Sequence, residues 1–140
     1  PVAFSCHCAL RMFNTNAVLL GGIGGTFAEE LRVLRKGNVL LAFSYRPYAT
    51  DTIRAVEFCG KRGAAVIAVT DSVVSPIARN AKRTFVLANE SPSFFQSIVP
   101  AIELVQIPIG LMLAGSDETT LRPFSDSIEQ LAYFQTYARD

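Results

Sequence analysis

The sequence lacks two features that define broad classes of protein, a strong net charge and a long apolar run. Among its 140 residues, 13 Lys and Arg stand against 12 Asp and Glu, so the net charge is +1. This balance provides no overall field to attract DNA or an acidic membrane, and an anion would have to be recognised locally. No apolar run approaches the roughly 20 residues that span a bilayer. The most apolar stretch, VPAIELVQIPIGLML, is interrupted by Glu103, Gln106 and two prolines. We therefore expect a soluble protein.

Cysteine and histidine are also scarce. The three cysteines are odd in number and form no disulfide framework, which favours a reducing cytoplasm over a secretory route. The run Cys6-His7-Cys8 suggests metal ligands, yet three adjacent side chains of a regular helix cannot all face one ion, and no second pair follows. We expect no metal site and no cofactor, and interpret Cys6, Cys8 and Cys59 as small core-lining residues.

The sequence does contain short, continuously apolar segments that are typical of strands. Residues 38–43, 64–70 and 84–88 have this pattern, which is expected for parallel strands covered on both faces. AVLL at 17–20 is a further strand candidate. These segments predict a parallel sheet with helices on its faces.

Helical patterns lie between and beyond these segments. Pro76 suits the first position of a short helix, and Pro100 and Pro108 are expected to bend or interrupt a long one. The predicted helices cover residues 2–13, 51–62, 75–81, 93–114 and part of 117–138.

A glycine stretch, GGIGGT, precedes one more predicted helix. Thr26 and Glu29 have the spacing of a capping box, so this helix should begin there and run to about Arg35. The stretch does not fit GxGxxG, because Phe27 occupies the last glycine position, and it does not fit GxxxxGK[ST], because no lysine follows. We interpret the glycines as a turn and not as a nucleotide site.

The alternation of strands and helices predicts an α/β fold, a three-layer α/β/α sandwich around a parallel sheet. Ligands of such sheets bind at the carboxyl ends of the strands. Three predicted strands end in hydroxyl-rich loops, SYRPYATDT, DSVVS and NESPS. The first and third loops lead into helices, whose N-termini offer free N–H groups to an anion, so a phosphate-bearing small molecule is the expected ligand.

An alternative interpretation is that the Ser, Thr and Asp side chains of these loops are ordinary helix caps. The residues around Arg46 favour a ligand instead. A guanidinium between Tyr45 and Tyr48 is more than a cap requires, and guanidinium groups match phosphate geometry.

Taken together, residues 37–106 resemble the sugar isomerase (SIS) domain of the RpiR family of bacterial transcription regulators. The likeness is dense from about Leu31 to Ile107, and it is closest to the branch whose first loop reads FSFRRYSxET. The apolar strand, the FS-aromatic-R-x-Y loop, the TDS segment and the ESPSFF segment occur in matching order and spacing. In that family an N-terminal helix-turn-helix domain binds DNA, and the SIS domain binds a phosphorylated sugar or sugar acid.

The resemblance also implies which residues bind the ligand. Hydroxyls of the first loop would hold the phosphate, the Arg and Tyr of that loop belong to the branch's own pattern, and the third loop would contact the sugar itself. Ala49 replaces the serine of the branch pattern, which removes one possible donor. The implied ligand-binding residues are Ser44, Arg46, Tyr48 and Thr52, then Ser72 and Ser75, then Glu90, Ser91 and Ser93.

The resemblance further implies that the chain is an incomplete part of a regulator. The family's sheet has the flavodoxin-like order 2-1-3-4-5, and its first strand would lie before Pro1. We therefore expect residues 1–140 to form a single SIS-type domain without the first strand and without the helix-turn-helix domain. AVLL would then need another partner, and the ligand site would be incomplete.

Two classes of function follow from these expectations. The first, which we favour, is a non-enzymatic, cytoplasmic sensor and dimerisation domain that binds a phosphosugar and regulates transcription. The alternative is an aldose-ketose isomerase of sugar phosphates, which needs a base beside the two reacting carbons. Glu90 and His7 are the candidates for that base.

The second half of the chain predicts self-association. The segment 93–114 is rich in apolar residues, more than one face of a sheet can cover, and the last helix adds Ile128, Leu131, Tyr133, Phe134 and Tyr137. An exposed apolar patch usually marks an interface, and two-fold dimers are the commonest arrangement. We expect a homodimer or a higher homo-oligomer, no membrane partner, and DNA contact only through the absent domain.

Overall fold

The computed structural model describes residues 1–12 and 16–135. The chain divides into two compact units, which are described separately: Ala3–Leu19 with Ile102 and the residues after it, and Leu20–Ala101. The regular elements are α1 (Val2–Arg11), α2 (Phe27–Glu30), β1 (Val39–Phe43), α3 (Thr50–Lys61), β2 (Ala65–Thr70), β3 (Arg83–Val86), α4 (Val99–Ala114) and α5 (Glu118–Tyr133).

The sheet consists of three parallel strands in the order β1-β2-β3. Its register places Leu41 opposite Ile67 and Val69 opposite Phe85. Because the strands are parallel, their carboxyl ends lie at one edge, and the three hydroxyl-rich loops all leave the sheet there. The predicted α/β class with a parallel sheet and flanking helices is confirmed.

The core of the second unit lies between α3 and one face of the sheet, since α3 contacts both β1 and β2. Val56 and Cys59 of α3 are buried in the same cluster as Ala42, Val66 and Ala68 of the strands. Small residues on the strands let the helix approach closely. Burial raises the pKa of the Cys59 thiol. Cys6 and Cys59 are buried as the sequence predicted, whereas Cys8 is exposed, so the prediction is wrong for Cys8.

Helix α3 ends at a glycine for a conformational reason. Gly63 has φ of 72°, in the left-handed region that favours glycine, and its N–H donates to the carbonyl of Gly60. The next amide, of Ala64, donates to the carbonyl of Cys59, which is 3.2 Å away. The chain thereby turns directly from α3 into β2, close to the predicted boundary.

One strand prediction is wrong and one holds only in part. Residues 17–20 form no strand, and the described sheet consists of β1, β2 and β3 alone. Strand β3 forms, but it is not covered on both faces. Phe85 is 44% and Val86 45% exposed, because β3 is an edge strand.

Two helix predictions also fail in part. Residues 75–81 form consecutive turns with bonds from Ala78 N to Ser75 O and from Ala81 N to Ala78 O, which span three residues and not four. The long helix begins at Val99 and not at Ser93. Before it, serine hydroxyls accept from backbone amides two residues ahead and so compete with helical bonding.

The predicted capping box of Thr26 and Glu29 does not form, and a different carboxylate holds the glycine turn. Glu30, not Glu29, accepts from the amides of Gly21 at 2.8 Å and of Gly22 at 3.1 Å, and from the Thr26 hydroxyl at 2.8 Å. The Gly22 amide, the Thr26 hydroxyl and the Gly21 amide lower the pKa of Glu30 and together outweigh the opposing effect of burial. The prediction of a turn holds, but its anchor lies four residues after Thr26.

The two prolines do not interrupt the long helix as predicted. Pro100 lies in the first turn of α4, where a missing N–H costs nothing, and Pro108 lies inside α4 without ending it. The predicted first helix ends at Arg11, and its last proposed apolar residue, Phe13, lies outside the described residues. Within residues 1–12 and 16–135, no helix is both long and apolar enough to cross a bilayer.

Candidate ligand site at the carboxyl edge of the sheet

The first loop, residues 44–49, is anchored to the sheet by Ser44. Its amide donates to the carbonyl of Val69 on β2 at 3.1 Å, and its Oγ accepts from the amide of Ala49 at 3.3 Å. Ser44 is 5% exposed. The serine therefore closes the loop on itself and brings its two ends together at the start of α3.

The N-terminus of α3 supplies the donors for an anion. The first amides of a helix have no partner within the helix, and the helix dipole places partial positive charge there. Thr52 is partly buried in this first turn. Asp51, also in the first turn, adds a negative charge that an anion would have to tolerate.

Two side chains of the first loop lie together. The guanidinium carbon of Arg46 is 6.0 Å from the centroid of the Tyr48 ring, at the limit of a cation–π contact. Arg46 is exposed. Its charge is thus exposed to solvent on the loop that leads into α3.

Asp71, the first residue after β2, connects the second loop with the first. Its Oδ1 accepts from the Tyr48 hydroxyl at 2.9 Å and from the Thr70 hydroxyl at 3.2 Å, and its Oδ2 accepts from the amide of Arg46 at 3.3 Å. Partial burial alone would raise the pKa of Asp71, but these bonds outweigh it and lower that pKa. Asp71 is ionised at neutral pH and is the centre of this network.

Tyr45 lies near the same carboxylate. Burial raises the pKa of its phenol, and the negative charge of Asp71 raises it further. Its Oη is buried and has no hydrogen-bond partner among the described residues. The phenol is therefore neutral and donor-competent.

The two serines predicted in the second loop differ in their surroundings. Ser72 is partly buried, and its Oγ accepts from the amide of Val74 at 3.3 Å. Ser75 is 1% exposed, and its Oγ has no partner in the described part of the chain. The Ser72 hydroxyl holds the loop in shape, whereas the Ser75 hydroxyl is still able to donate and accept hydrogen bonds.

The third loop is built from serine turns. Ser91 Oγ accepts from the amide of Ser93 at 3.1 Å, and Ser93 Oγ accepts from the amide of Phe95 at 3.3 Å. Glu90 and Ser93 are exposed, and Ser91 is partly buried. Asn89, at the same strand end, is buried, and its Nδ2 lacks a partner within the described residues.

The structure thus joins the first and second loops through hydrogen bonds to Asp71 and places the third loop at the same sheet edge. Sequence reasoning did not single out Asp71 and Asn89, although both directly follow apolar segments. A polar residue at the first position after a strand was the available signal. That the predicted residues contact a ligand stays a prediction.

A groove of about 730 Å3 lies beside this edge, between the glycine turn and the outer side of α3. Thr52 contributes to its lining, together with Arg54 and Lys61 and the acidic Asp51 and Glu57. The balanced charges give the groove no preference for an anion. Among the described residues, no three His, Cys, Asp or Glu side chains come together as metal ligands.

The sequence profile of the SIS domain matches residues 5–108, most of the chain. The protein belongs to the SIS domain family. No curated protein matches the sequence.

Two solved structures of regulators share the fold. The sugar isomerase domain of the RpiR transcription factor from Sphaerobacter thermophilus is 26% identical, with a TM-score of 0.78, over 94% of this chain and 72% of that one. The Vibrio vulnificus NanR protein, solved in complex with ManNAc-6P, is 17% identical with a TM-score of 0.77. The match covers 97% of this chain and 53% of NanR.

A third structure has a different provisional assignment. A protein of Listeria monocytogenes, provisionally assigned as a sugar-phosphate isomerase, is 19% identical with a TM-score of 0.66. That match covers 86% of this chain and 67% of the Listeria protein. Both the regulator and the isomerase therefore share the fold, and the choice between them depends on the site.

Proposed function

We propose that this chain is the effector-binding domain of a cytoplasmic bacterial transcription regulator, and that it binds a phosphorylated sugar without converting it. DNA would be bound by a helix-turn-helix domain outside this chain. The observation that carries the proposal is the first loop, which is closed by Ser44, braced by Asp71 and directed into the N-terminus of α3. The similarity to the RpiR domain and to NanR, which was solved with a phosphosugar, supports it.

The phosphate would bind where the first loop meets α3. Ser44, Thr52 and the free amides of the helix start would donate to phosphate oxygens, and Arg46 would add a charge-assisted contact. Ser72, Ser75, Glu90, Ser91 and Ser93 would face the sugar from the neighbouring loops. Tyr48 belongs to the same site, where its hydroxyl is already engaged by Asp71.

Ligand binding would act on transcription by shifting the population of two arrangements of the attached DNA-binding domains. This requires two copies of the chain. Helix α4 exposes Ile107, Leu111 and Met112, and α5 exposes Ile128 and Tyr133. These apolar side chains support a helix-mediated homodimer.

A sugar-phosphate isomerase is the second candidate, favoured by the Listeria similarity and by Glu90 at a strand end. Glu90 is exposed, and the described contacts of its neighbours are serine turns within the loop. A catalytic base for an isomerase must lie within hydrogen-bond reach of the reacting carbons. An exposed carboxylate in an open loop offers weak support for that role.

The test is a binding and turnover screen with hexose 6-phosphates, including ManNAc-6P, and the corresponding unphosphorylated sugars. Thermal shift ranks the ligands, because a ligand that binds only the folded state raises its stability. We expect stabilisation by a phosphosugar and none by its unphosphorylated form. NMR of the same mixtures then separates the functions: saturable broadening without product supports the sensor, and formation of the isomeric sugar phosphate contradicts it.

A further inference from the structure

The carboxylate of Asp71 holds the first loop at two points, Arg46 and Tyr48, which are two residues apart. Its Oδ2 accepts from the backbone N–H of Arg46, and its Oδ1 accepts from the side-chain hydroxyl of Tyr48. Thr70 donates to the same Oδ1 and thereby fixes the carboxylate itself. Three donors, two from the first loop and one from the end of β2, therefore meet on one side chain.

Both contacts restrain the guanidinium of Arg46. The backbone bond fixes the point from which the arginine side chain starts, and the Tyr48 bond fixes the ring over which its guanidinium lies, 6.0 Å from the centroid. The Arg46 group that meets Asp71 is the backbone N–H, so the described network leaves the guanidinium to another anion. A long side chain that is held in place loses less conformational entropy when it binds.

We propose that Asp71 is a positioning residue of the anion site, which orients Arg46 through its backbone and through the Tyr48 ring. This inference rests on the proposed phosphosugar function. In this proposal Tyr48 is also a positioning residue, because its hydroxyl donates to Asp71 and its ring lies beneath the guanidinium of Arg46.

The sign of one substitution separates positioning from simple electrostatics. Asp71 is a negative charge beside a proposed anion site, and by Coulomb's law its removal should strengthen binding of a phosphate. If Asp71 positions Arg46, its removal should weaken binding instead. The two explanations therefore predict opposite changes in affinity.

The experiment measures affinity by calorimetry for the hexose 6-phosphate that binds the wild type most tightly, and for inorganic phosphate. We expect Asp71→Ala to weaken phosphosugar binding by about tenfold, comparable to Arg46→Ala, because a contact to a charged group is worth about one order of magnitude or more. Tyr48→Phe and Asp71→Asn each remove part of the network and should give intermediate losses. These two variants test the proposal in place of Asp71→Ala if that variant does not fold.

The double variant Arg46→Ala/Asp71→Ala is the decisive control. Without Arg46 there is nothing to position, so removal of Asp71 in that background should leave binding unchanged or strengthen it. Equal or tighter binding by the single variant Asp71→Ala, or a second full loss in the double variant, would overturn the proposal. Failure of the wild type to bind any phosphate in the panel would instead overturn the proposed function, and this role with it.

A readout without ligand tests the same network. The Arg46 amide should exchange with solvent faster in Asp71→Ala than in the wild type, while amides of β2 keep their protection. Unchanged exchange at Arg46 would show that Asp71 does not hold this loop and would contradict the proposal. Circular dichroism of each variant confirms that helical content is retained.

Discussion

The Oγ of Ser44 accepts a hydrogen bond from the backbone N–H of Ala49, 3.3 Å away, and so closes the loop on which the proposed site depends. Ser44 is buried. Its hydrogen bond with Ala49 forms without a ligand, so the hydroxyl shapes the loop before any ligand binds. The residue thus combines a structural contact with a proposed ligand contact, and the two can be separated experimentally.

Ser44→Ala should lower both stability and affinity. Loss of the acceptor leaves the Ala49 amide without this partner, and a typical cost is about 1 kcal/mol in the free energy of unfolding. Urea denaturation measures it. Ser72→Ala is the matched control, since its Oγ also accepts from an amide, that of Val74, but in a more exposed loop. We expect a smaller loss there. An equal loss in both variants would contradict a special role for Ser44.

The glycine turn predicts a pH dependence of stability. The folded-state pKa of Glu30 is lowered, chiefly by the Gly22 amide and the Thr26 hydroxyl. A lowered pKa contributes stability that is present above the unfolded value of about 4.3 and is lost as the pH falls through the folded value. Glu30→Gln should therefore be less stable than wild type at neutral pH, and this difference should shrink on acidification through and below about pH 4.

The neighbouring Glu29→Gln provides the control for that titration, because Glu29 is exposed and is not the carboxylate that the glycine amides contact. Denaturant midpoints measured at several pH values for the three proteins give the comparison. A constant difference between wild type and Glu30→Gln across the acid range would show that the turn does not depend on the ionised carboxylate.

The sequence predicted the elements whose pattern is strong and local. β1, α3 and β2 have apolar runs or stripes bounded by glycines, and each was placed within one or two residues. The wrong predictions depend on tertiary context. AVLL has strand-like composition, but a strand forms only beside a hydrogen-bonding neighbour. Residues 93–98 include Phe94, Phe95 and Ile98, but the serine hydroxyls at 91, 93 and 97 accept from amides two residues ahead and form local turns instead of a helix.

The same limit applies to the site. The order of strands and loops was enough to predict that hydroxyls gather at one edge. It could not show that Asp71 would bind Tyr48, because the two residues lie 23 positions apart and meet only when β1 and β2 pair. The capping box predicted at Thr26 and Glu29 fails for a related reason. Thr26 and Glu29 fit a helical cap, whereas the actual α2 is only four residues long.

Self-association should depend on the exposed side of α4. Leu111 is 68% exposed, and a charge at this position should oppose its burial between two copies of the chain. We expect Leu111→Asp to be monomeric by light scattering at micromolar concentration, with helical content retained. Asn80→Asp adds the same charge in an exposed turn and should remain dimeric. A monomeric wild type would contradict the proposed dimer, and a dimeric Leu111→Asp would contradict its proposed location on α4.

Substitution of Ser75 by alanine should change the free energy of unfolding and the ligand affinity in opposite directions. Its hydroxyl is buried without a partner among the described residues, and burial of an unsatisfied polar group costs about 1–3 kcal/mol. Ser75→Ala removes that group with little change in volume, so the free energy of unfolding should stay the same or rise by up to about 1 kcal/mol. If the hydroxyl contacts the sugar, as proposed, phosphosugar affinity should fall about fivefold to tenfold in the same variant.

Calorimetry and urea denaturation of Ser75→Ala measure these two quantities on one protein sample. Binding of inorganic phosphate should change little, because the second loop is proposed to face the sugar and not the phosphate. A variant that is destabilised by more than about 1 kcal/mol would show that the hydroxyl has a structural partner in solution. Unchanged phosphosugar affinity would remove Ser75 from the site, since a donor that contacts the ligand cannot be deleted without leaving a ligand oxygen unpaired.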